Sequence, residues 1–184
     1  MSRAVFLDRD GVLNRALVRD GRPFAPRSLE EFALLPDVAR ATAALVAVGF
    51  RLIVVTNQPD VATGKTEQAQ VEAMHARLLN ELPIDDVLAC YHTDEHDCPC
   101  RKPKPGMLHE AAQRWGIDLS RSYLVGDRWR DIEAGRAAGC RTILIESEYR
   151  ERSAAADWTA ASLAEAARTI CSDSSTQIQE TFAR

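Results

Sequence analysis

No run of apolar residues in this 184-residue chain approaches the roughly 18 that a membrane-spanning helix needs. The N-terminus, Met1-Ser2-Arg3-Ala4-Val5-Phe6-Leu7, meets Asp8 too early to hold a secretory-signal core, so a reducing cytoplasm is the expected setting. Positive charge is not in excess either: 23 Lys and Arg stand against 27 Asp and Glu, a formal net charge of −4. That excludes a whole-surface basic field for nucleic acid and leaves room only for a local basic pocket. The cysteines do not form an even set. There are five, Cys90, Cys98, Cys100, Cys140 and Cys171, and three fall within eleven positions, which suits a metal site better than a disulfide framework. Internal repeats and linkers are lacking. The apolar fraction of 46% and charged fraction of 27% are those of an ordinary globular domain with one core. One domain over residues 1–171 is expected, followed by a polar, fraying tail over 172–184. With no extended apolar surface stripe, a monomer is expected.

The strongest apolar runs are short and rich in β-formers: Ala4–Leu7, Phe50–Val55, Val87–Tyr91, Tyr123–Val125 and Thr142–Ile145. They read as buried parallel strands. Helical patterns lie between and after them, over Pro36–Val48, Thr66–Leu82, Pro105–Trp115, Arg130–Ala138 and Ser153–Ile170. Thr66 is a candidate N-cap, and His75 reads as a surface or packing residue. Strands alternating with helices predict an α/β fold, a mostly parallel sheet with helices on both faces. Such sheets bind ligands beyond the carboxyl ends of their strands.

Four segments occupy those ends. The first strand runs into Asp8-Arg9-Asp10-Gly11. Two carboxylates held close cannot both stay ionised cheaply without a cation, and Mg²⁺ prefers oxygen ligands. The same pair also suits a nucleophile beside a proton donor, and an Asp-x-Asp alone equally suits a polar turn. The second long strand ends in Thr56-Asn57-Gln58, a hydroxyl and two amides able to hold phosphate oxygens or merely to build a turn. Arg101-Lys102-Pro103-Lys104-Pro105 is a stiff basic loop whose prolines lower the cost of aiming its cations at a phosphate. The fourth segment is Gly126-Asp127-Arg128-Trp129-Arg130-Asp131. Asp127 is a candidate metal ligand and Arg128 a candidate phosphate contact, while Asp131 either reaches a metal or only caps a helix.

In this order, from about Phe6 to Ile145, the segments resemble the haloacid dehalogenase (HAD) superfamily of phosphohydrolases. The resemblance implies a HAD-like Rossmannoid three-layer sandwich. It also implies a role for each matching residue. Asp8 is the nucleophile that becomes an aspartyl-phosphate. Asp10 is the acid/base. Thr56 steadies the transferring phosphoryl group, with Asn57 beside it, and Lys102 offsets negative charge. Arg101 and Arg128 join Asn57 in binding substrate. Mg²⁺ is held by Asp8, the backbone carbonyl of Asp10 and Asp127.

Cys90-Tyr91-His92 is followed after five residues by Cys98-Pro99-Cys100. Three cysteines and a histidine are a standard structural zinc set, with no position open for chemistry. His96 or Asp97 competes with His92 for the fourth place, and the resemblance favours His92. A Cys-x-His…Cys-x-Cys loop before Arg-Lys-Pro is similar to the branch that holds histidinol phosphatases and heptose-bisphosphate phosphatases. It implies hydrolysis of a small phosphorylated metabolite, heptose 1,7-bisphosphate (losing its 7-phosphate) first and histidinol phosphate second. The five-residue spacer is of the histidinol-phosphatase type, and Thr63 stands where the heptose pattern has arginine. The intervals from Asp10 to the second strand and from Gln58 to Arg101 leave no room for a cap domain. A rival of another class is a catalytically silent, zinc-stabilised binding module, which has no need of both Asp8 and Asp10.

Overall fold

The structure, a computed structural model, describes residues 1–151 and 154–182, except for the side chains of 176–182. Six strands form one parallel sheet: β1 (Ala4–Leu7), β4 (Arg51–Asn57), β5 (Asp86–Cys90), β6 (Tyr123–Gly126), β7 (Arg141–Ile145) and β8 (Trp158–Ala160). Their spatial order is β5-β4-β1-β6-β7-β8. All four residues of β1 are fully buried, as a central parallel strand covered on both faces must be.

Side-chain alternation divides the core in two. Val5, Leu7, Leu52, Val54 and Val125 face α1 (Val38–Ala47), α2 (Gln68–Glu81) and α5 (Leu163–Phe182), meeting Leu45, Met74, Leu78 and Ile170. Ala4, Phe6, Ile53, Val55 and Leu124 face α3 (Gly106–Trp115) and α4 (Trp129–Ala138), meeting Met107, Leu108, Ala111 and Ala134. Each fully buried Leu, Ile, Val, Phe or Met contributes on the order of 1.5–3 kcal/mol, so the β1 neighbourhood is the rigid base of the fold. The three-layer sandwich expected from the sequence is present.

The chain passes from β1 to β4 and β5 on one side, then returns to β6, β7 and β8 on the other. The strand order therefore reverses at β1, and a crevice opens beyond the carboxyl ends of β1, β4 and β6.

Three elements depart from the sequence expectations. A hairpin, β2 (Leu17–Arg19) and β3 (Arg22–Phe24), follows β1, with Asp20 and Gly21 at its tip in the left-handed region (φ 52° and 73°). Asp-Gly at such a tip is a strong hairpin signal. No larger unit is inserted among the described residues, in line with the expected absence of a cap.

Of the helix expected over Ser153–Ile170, Ser153 lies outside the described residues, and the rest holds strand β8 followed by α5. Asp157 explains the difference. Its carboxylate accepts from the Thr142 backbone N–H (2.7 Å) and hydroxyl (2.8 Å), pinning the chain to the edge of β7. Ser162, which accepts from the Glu165 N–H, then caps a helix that starts later. That helix runs to Phe182, so the tail boundary expected at residue 171 falls inside α5. Ser174 is buried, and Asp173 accepts from the Tyr123 hydroxyl and from Arg141, so these two residues of the polar stretch pack on the body.

Thr66 does not cap α2. Its hydroxyl donates to the Arg27 carbonyl at 3.0 Å, and Glu67 stands at the helix start.

Candidate active site

Asp8 emerges from the buried end of β1 and is itself buried. One of its oxygens accepts from Nζ of Lys102 at 2.8 Å. The same ammonium donates to the Val55 carbonyl (2.8 Å) and to Asp131 (2.5 Å). Burial alone would lower the Lys102 pKa, and the charges of Asp131 and Asp8 more than reverse this, leaving it raised. Lys102 is aimed by its own loop. Asn57, at the tip of β4, donates to the Lys102 carbonyl (3.0 Å) and accepts from its N–H (3.1 Å).

Asp8, Asp127 and Asp131 each offer an oxygen within 4.8 Å of the others, and all three are buried. Asp131 does both things the sequence left open: it joins this cluster, and it accepts from the Arg128 N–H (3.1 Å) at the start of α4. Burial, reinforced by Asp131 and Asp10 against the pull of Lys102, raises Asp8 to about 6. Burial and then the charges of Asp8 and Asp131 raise Asp127 well above the carboxylate range. Both Asp127 oxygens are buried and paired with no cation, and the Tyr149 hydroxyl is turned toward them. Three carboxylates against one ammonium, with two hard Asp127 oxygens that meet no cation, fit a divalent cation such as Mg²⁺. Gly11 makes this possible. At φ 91° it turns the chain sharply, and a Cβ there would lie 1.8 Å from Asp127 Oδ2.

Asp10 lies beside this cluster and is held by four donors. Arg9 Nε (3.1 Å) and Asn14 (2.9 Å) meet one oxygen. Arg9 Nη2 (3.1 Å) and Gln58 (2.7 Å) meet the other. The Gln58 amide also donates to the Thr56 hydroxyl at 2.9 Å, which ties Thr56 to Asp10.

A cavity of about 220 Å³ opens here, lined by Asp8, Asp10, Asn57, Lys102, Arg128, Arg130 and Asp131 and walled on one side by Pro23, Phe24 and Ala25 after the hairpin turn. Arg128 lines it while its guanidinium is paired with Glu151. Arg101 does not line it. Its Nε donates to Asp94 at 2.8 Å, and Arg130 takes the position at the cavity wall. Sequence reasoning missed Arg130 and Arg9. A cation between two catalytic-type carboxylates was the available sign for Arg9. Tyr149, whose hydroxyl sits 3.0 Å from the spot a Gly11 side chain would occupy, carried no sequence signal.

The expected zinc set converges at the end of β5. Cys100 Sγ lies 3.3 Å from Cys90 Sγ, 3.2 Å from Cys98 Sγ and 3.4 Å from His92 Nδ1, with Cys90 to Cys98 at 3.6 Å. These gaps are too long for a disulfide and close to the edges of a tetrahedron around Zn²⁺. His96 spends Nδ1 on Thr93, and Asp97 pairs with Lys104, so His92 is the fourth ligand of choice. The loop reaches the cavity through Asp94, which accepts from both Arg101 and Arg130 (2.9 Å).

A family model described as HAD-hydrolase-like matches residues 99–170. The D-glycero-beta-D-manno-heptose-1,7-bisphosphate 7-phosphatase of Pseudomonas aeruginosa is 39% identical over 154 residues, covering 80% of this chain and 83% of that protein. The chain belongs to the HAD-like hydrolase family. The enzyme of the same name from Escherichia coli K12 is 34% identical over 183 residues, covering 91% of this chain and 93% of that one. In shape, the chain resembles the D,D-heptose 1,7-bisphosphate phosphatase of B. bronchiseptica solved with magnesium and phosphate. The TM-score is 0.80 at 30% identity, with 93% and 99% of the two chains covered. Like these relatives, the chain is a phosphatase, and Mg²⁺ is the cofactor its carboxylate cluster fits. No helix among the described residues is long and apolar enough to cross a membrane.

Two outcomes follow from the charges. Mg²⁺ must bind the ionised Asp8. Asp127 must lose its proton too, and both groups are raised in the metal-free chain, Asp8 to about 6 and Asp127 well above the carboxylate range, so Mg²⁺ binds more weakly at pH 5.5 than at pH 7.5. Calorimetric titration with MgCl₂ at pH 5.5 and 7.5 checks this. For zinc, elemental analysis is expected to give one equivalent per chain, and a Cys100→Ala protein is expected to lose it, melt several degrees lower and lose phosphatase activity as Asp94 releases Arg130.

Proposed function

We propose that the chain is a Mg²⁺-dependent phosphomonoester hydrolase that works through an aspartyl-phosphate and removes the 7-phosphate of heptose 1,7-bisphosphate. The observation that carries this reading is the meeting of Asp8, Asp127, Asp131 and Lys102 at the carboxyl end of β1.

Asp8 attacks phosphorus through the carboxylate oxygen that faces the cavity, and the ester oxygen leaves. Asp10 gives that oxygen a proton and, in the second step, takes one from the water that opens the aspartyl-phosphate. Lys102 offsets charge on Asp8 and the incoming phosphate, and it needs no reorganisation because Asn57 already holds its loop. Asn57 lines the phosphate's other side, with the buried Thr56 behind it bonded to Gln58, and Arg128 and Arg130 stand at the wall. Asp8, Asp127 and the carbonyl of Asp10 would hold Mg²⁺, which suppresses repulsion between nucleophile and phosphate when bound.

The names of the relatives support the heptose substrate. The rim supports a substrate with a second anionic end. Where the heptose pattern has arginine at position 63, this chain has Thr63, but Arg27 and Lys65 each stand 3.6 Å from Asp60 at the cavity edge. Histidinol phosphate is the second reading, favoured by the five-residue His92–Cys98 spacer. The same reading takes the chain as a cytoplasmic monomer that engages neither nucleic acid nor membrane, its one hydrolase domain extending through α5.

The test is a substrate panel run with wild-type and Asp8→Asn proteins. Heptose 1,7-bisphosphate, histidinol phosphate and short sugar phosphates are compared by kcat/KM. Heptose bisphosphate is expected to lead, and Asp8→Asn to lose about 10³-fold or more while keeping its fold and zinc. Full activity in Asp8→Asn refutes the mechanism. A lead for histidinol phosphate refutes only the substrate.

A further inference from the structure

Arg9 is the largest side chain with no exposed surface among the described residues. A guanidinium keeps its charge at any working pH and can only donate, so a buried one requires acceptors on every side. Two of its nitrogens grip the two oxygens of Asp10, each at 3.1 Å. A third, Nη1, meets Nε2 of His75 at 3.1 Å. Because arginine has nothing to accept with, Nε2 is the acceptor, and the ring carries its proton on Nδ1. The Phe32 ring lies 5.9 Å from the guanidinium carbon and limits its tilt.

His75 is built for this task rather than left over from helix packing. It projects from the inner face of α2, together with Val71, Met74 and Leu78, and is 8% exposed. Burial and then the charge of Arg9 push it down to about 4, so the ring is neutral across the physiological range and stays an acceptor. An aliphatic residue at 75 would fill the same interior space and leave Nη1 facing nothing.

We infer that His75 is a positioning residue for the acid/base: its neutral Nε2 locks the guanidinium of Arg9, and that lock fixes the two-pronged grip through which Arg9 orients Asp10. His75 touches neither substrate nor metal ligand and acts through Arg9 alone. The inference rests on Asp10 being the acid/base, as read above. With His75 removed, Arg9 has room to turn, and Asp10 no longer presents its proton to the leaving oxygen in one fixed direction.

The experiment uses the Mg²⁺-loaded full chain and two leaving groups. An alkyl ester needs a proton as its oxygen departs, whereas p-nitrophenolate leaves without one. kcat/KM is measured for p-nitrophenyl phosphate and for whichever panel substrate is turned over fastest, in wild-type, Asp10→Asn, His75→Leu and His75→Gln proteins. The ratio of the two constants is unaffected by the fraction of protein that folds. Asp10→Asn and His75→Leu are both expected to depress the alkyl ester at least about fivefold more than the aryl ester. His75→Gln, whose amide oxygen can accept from Arg9, is expected to restore the wild-type ratio. If Asp10→Asn shifts the ratio and His75→Leu does not, or if Gln fails where Leu fails, His75 has only a packing role and the inference is overturned. If Asp10→Asn leaves the ratio unchanged, the acid/base reading of Asp10 falls, and this inference with it.

Discussion

Three buried carboxylates share one lysine, and the rest of the molecule is organised around that imbalance. At an effective dielectric of about 20, two like charges roughly 5 Å apart repel by on the order of 3 kcal/mol. Lys102 spends its charge on Asp8 and Asp131, so the repulsion felt by the buried Asp127 has no directly paired cation to offset it. Without a metal, the cluster relieves itself by holding protons, which is why Asp8 and Asp127 are pushed upward. With a divalent ion, both become hard anionic ligands. The ionised site is thus destabilised unless something positive enters, and a divalent metal ion is such an entrant.

Fold and loops converge on keeping that arrangement fixed. The fully buried β1 supplies Asp8 from a rigid strand end, and Gly11 lets the chain turn away before it would strike Asp127. Asn57 clamps the Lys102 backbone, and the Cys/His cluster anchors the loop just before it. Asp94 carries that anchorage on to Arg130 at the cavity wall. The thiols serve chemistry indirectly, by denying the basic loop alternative conformations in which its cations would point to solvent.

Much of this was legible in the chain before any coordinates. Parallel central strands are buried on both faces, so their apolar runs stand out, and functional side chains sit where those runs end. Asp8, Asp10, Thr56 and Asp127 stand at or just past such strand ends, Lys102 was marked by its proline-stiffened basic loop, and the family resemblance supplied their roles. What escaped depends on long-range partners. Strand β8 was masked by an alanine-rich stretch whose helical preference Asp157 overrides by bonding to Thr142. The hairpin was overlooked although Asp20-Gly21 announced it. Arg101 and Arg130 are both plausible cations by sequence, and only Asp94, reached through the zinc loop, decides which of them faces the cavity. The Arg9–His75 contact joins residues 66 positions apart, and no local pattern could report it.

The unbalanced cluster is tested most directly by thermal melting of wild-type and Asp127→Asn proteins, each chelated and then supplied with Mg²⁺. The account predicts that Asp127→Asn melts higher than wild type when metal-free, because one desolvated carboxylate is gone, and that Mg²⁺ stabilises wild type only. A chelated Asp127→Asn protein no more stable than wild type, together with an undiminished response to Mg²⁺, would contradict it.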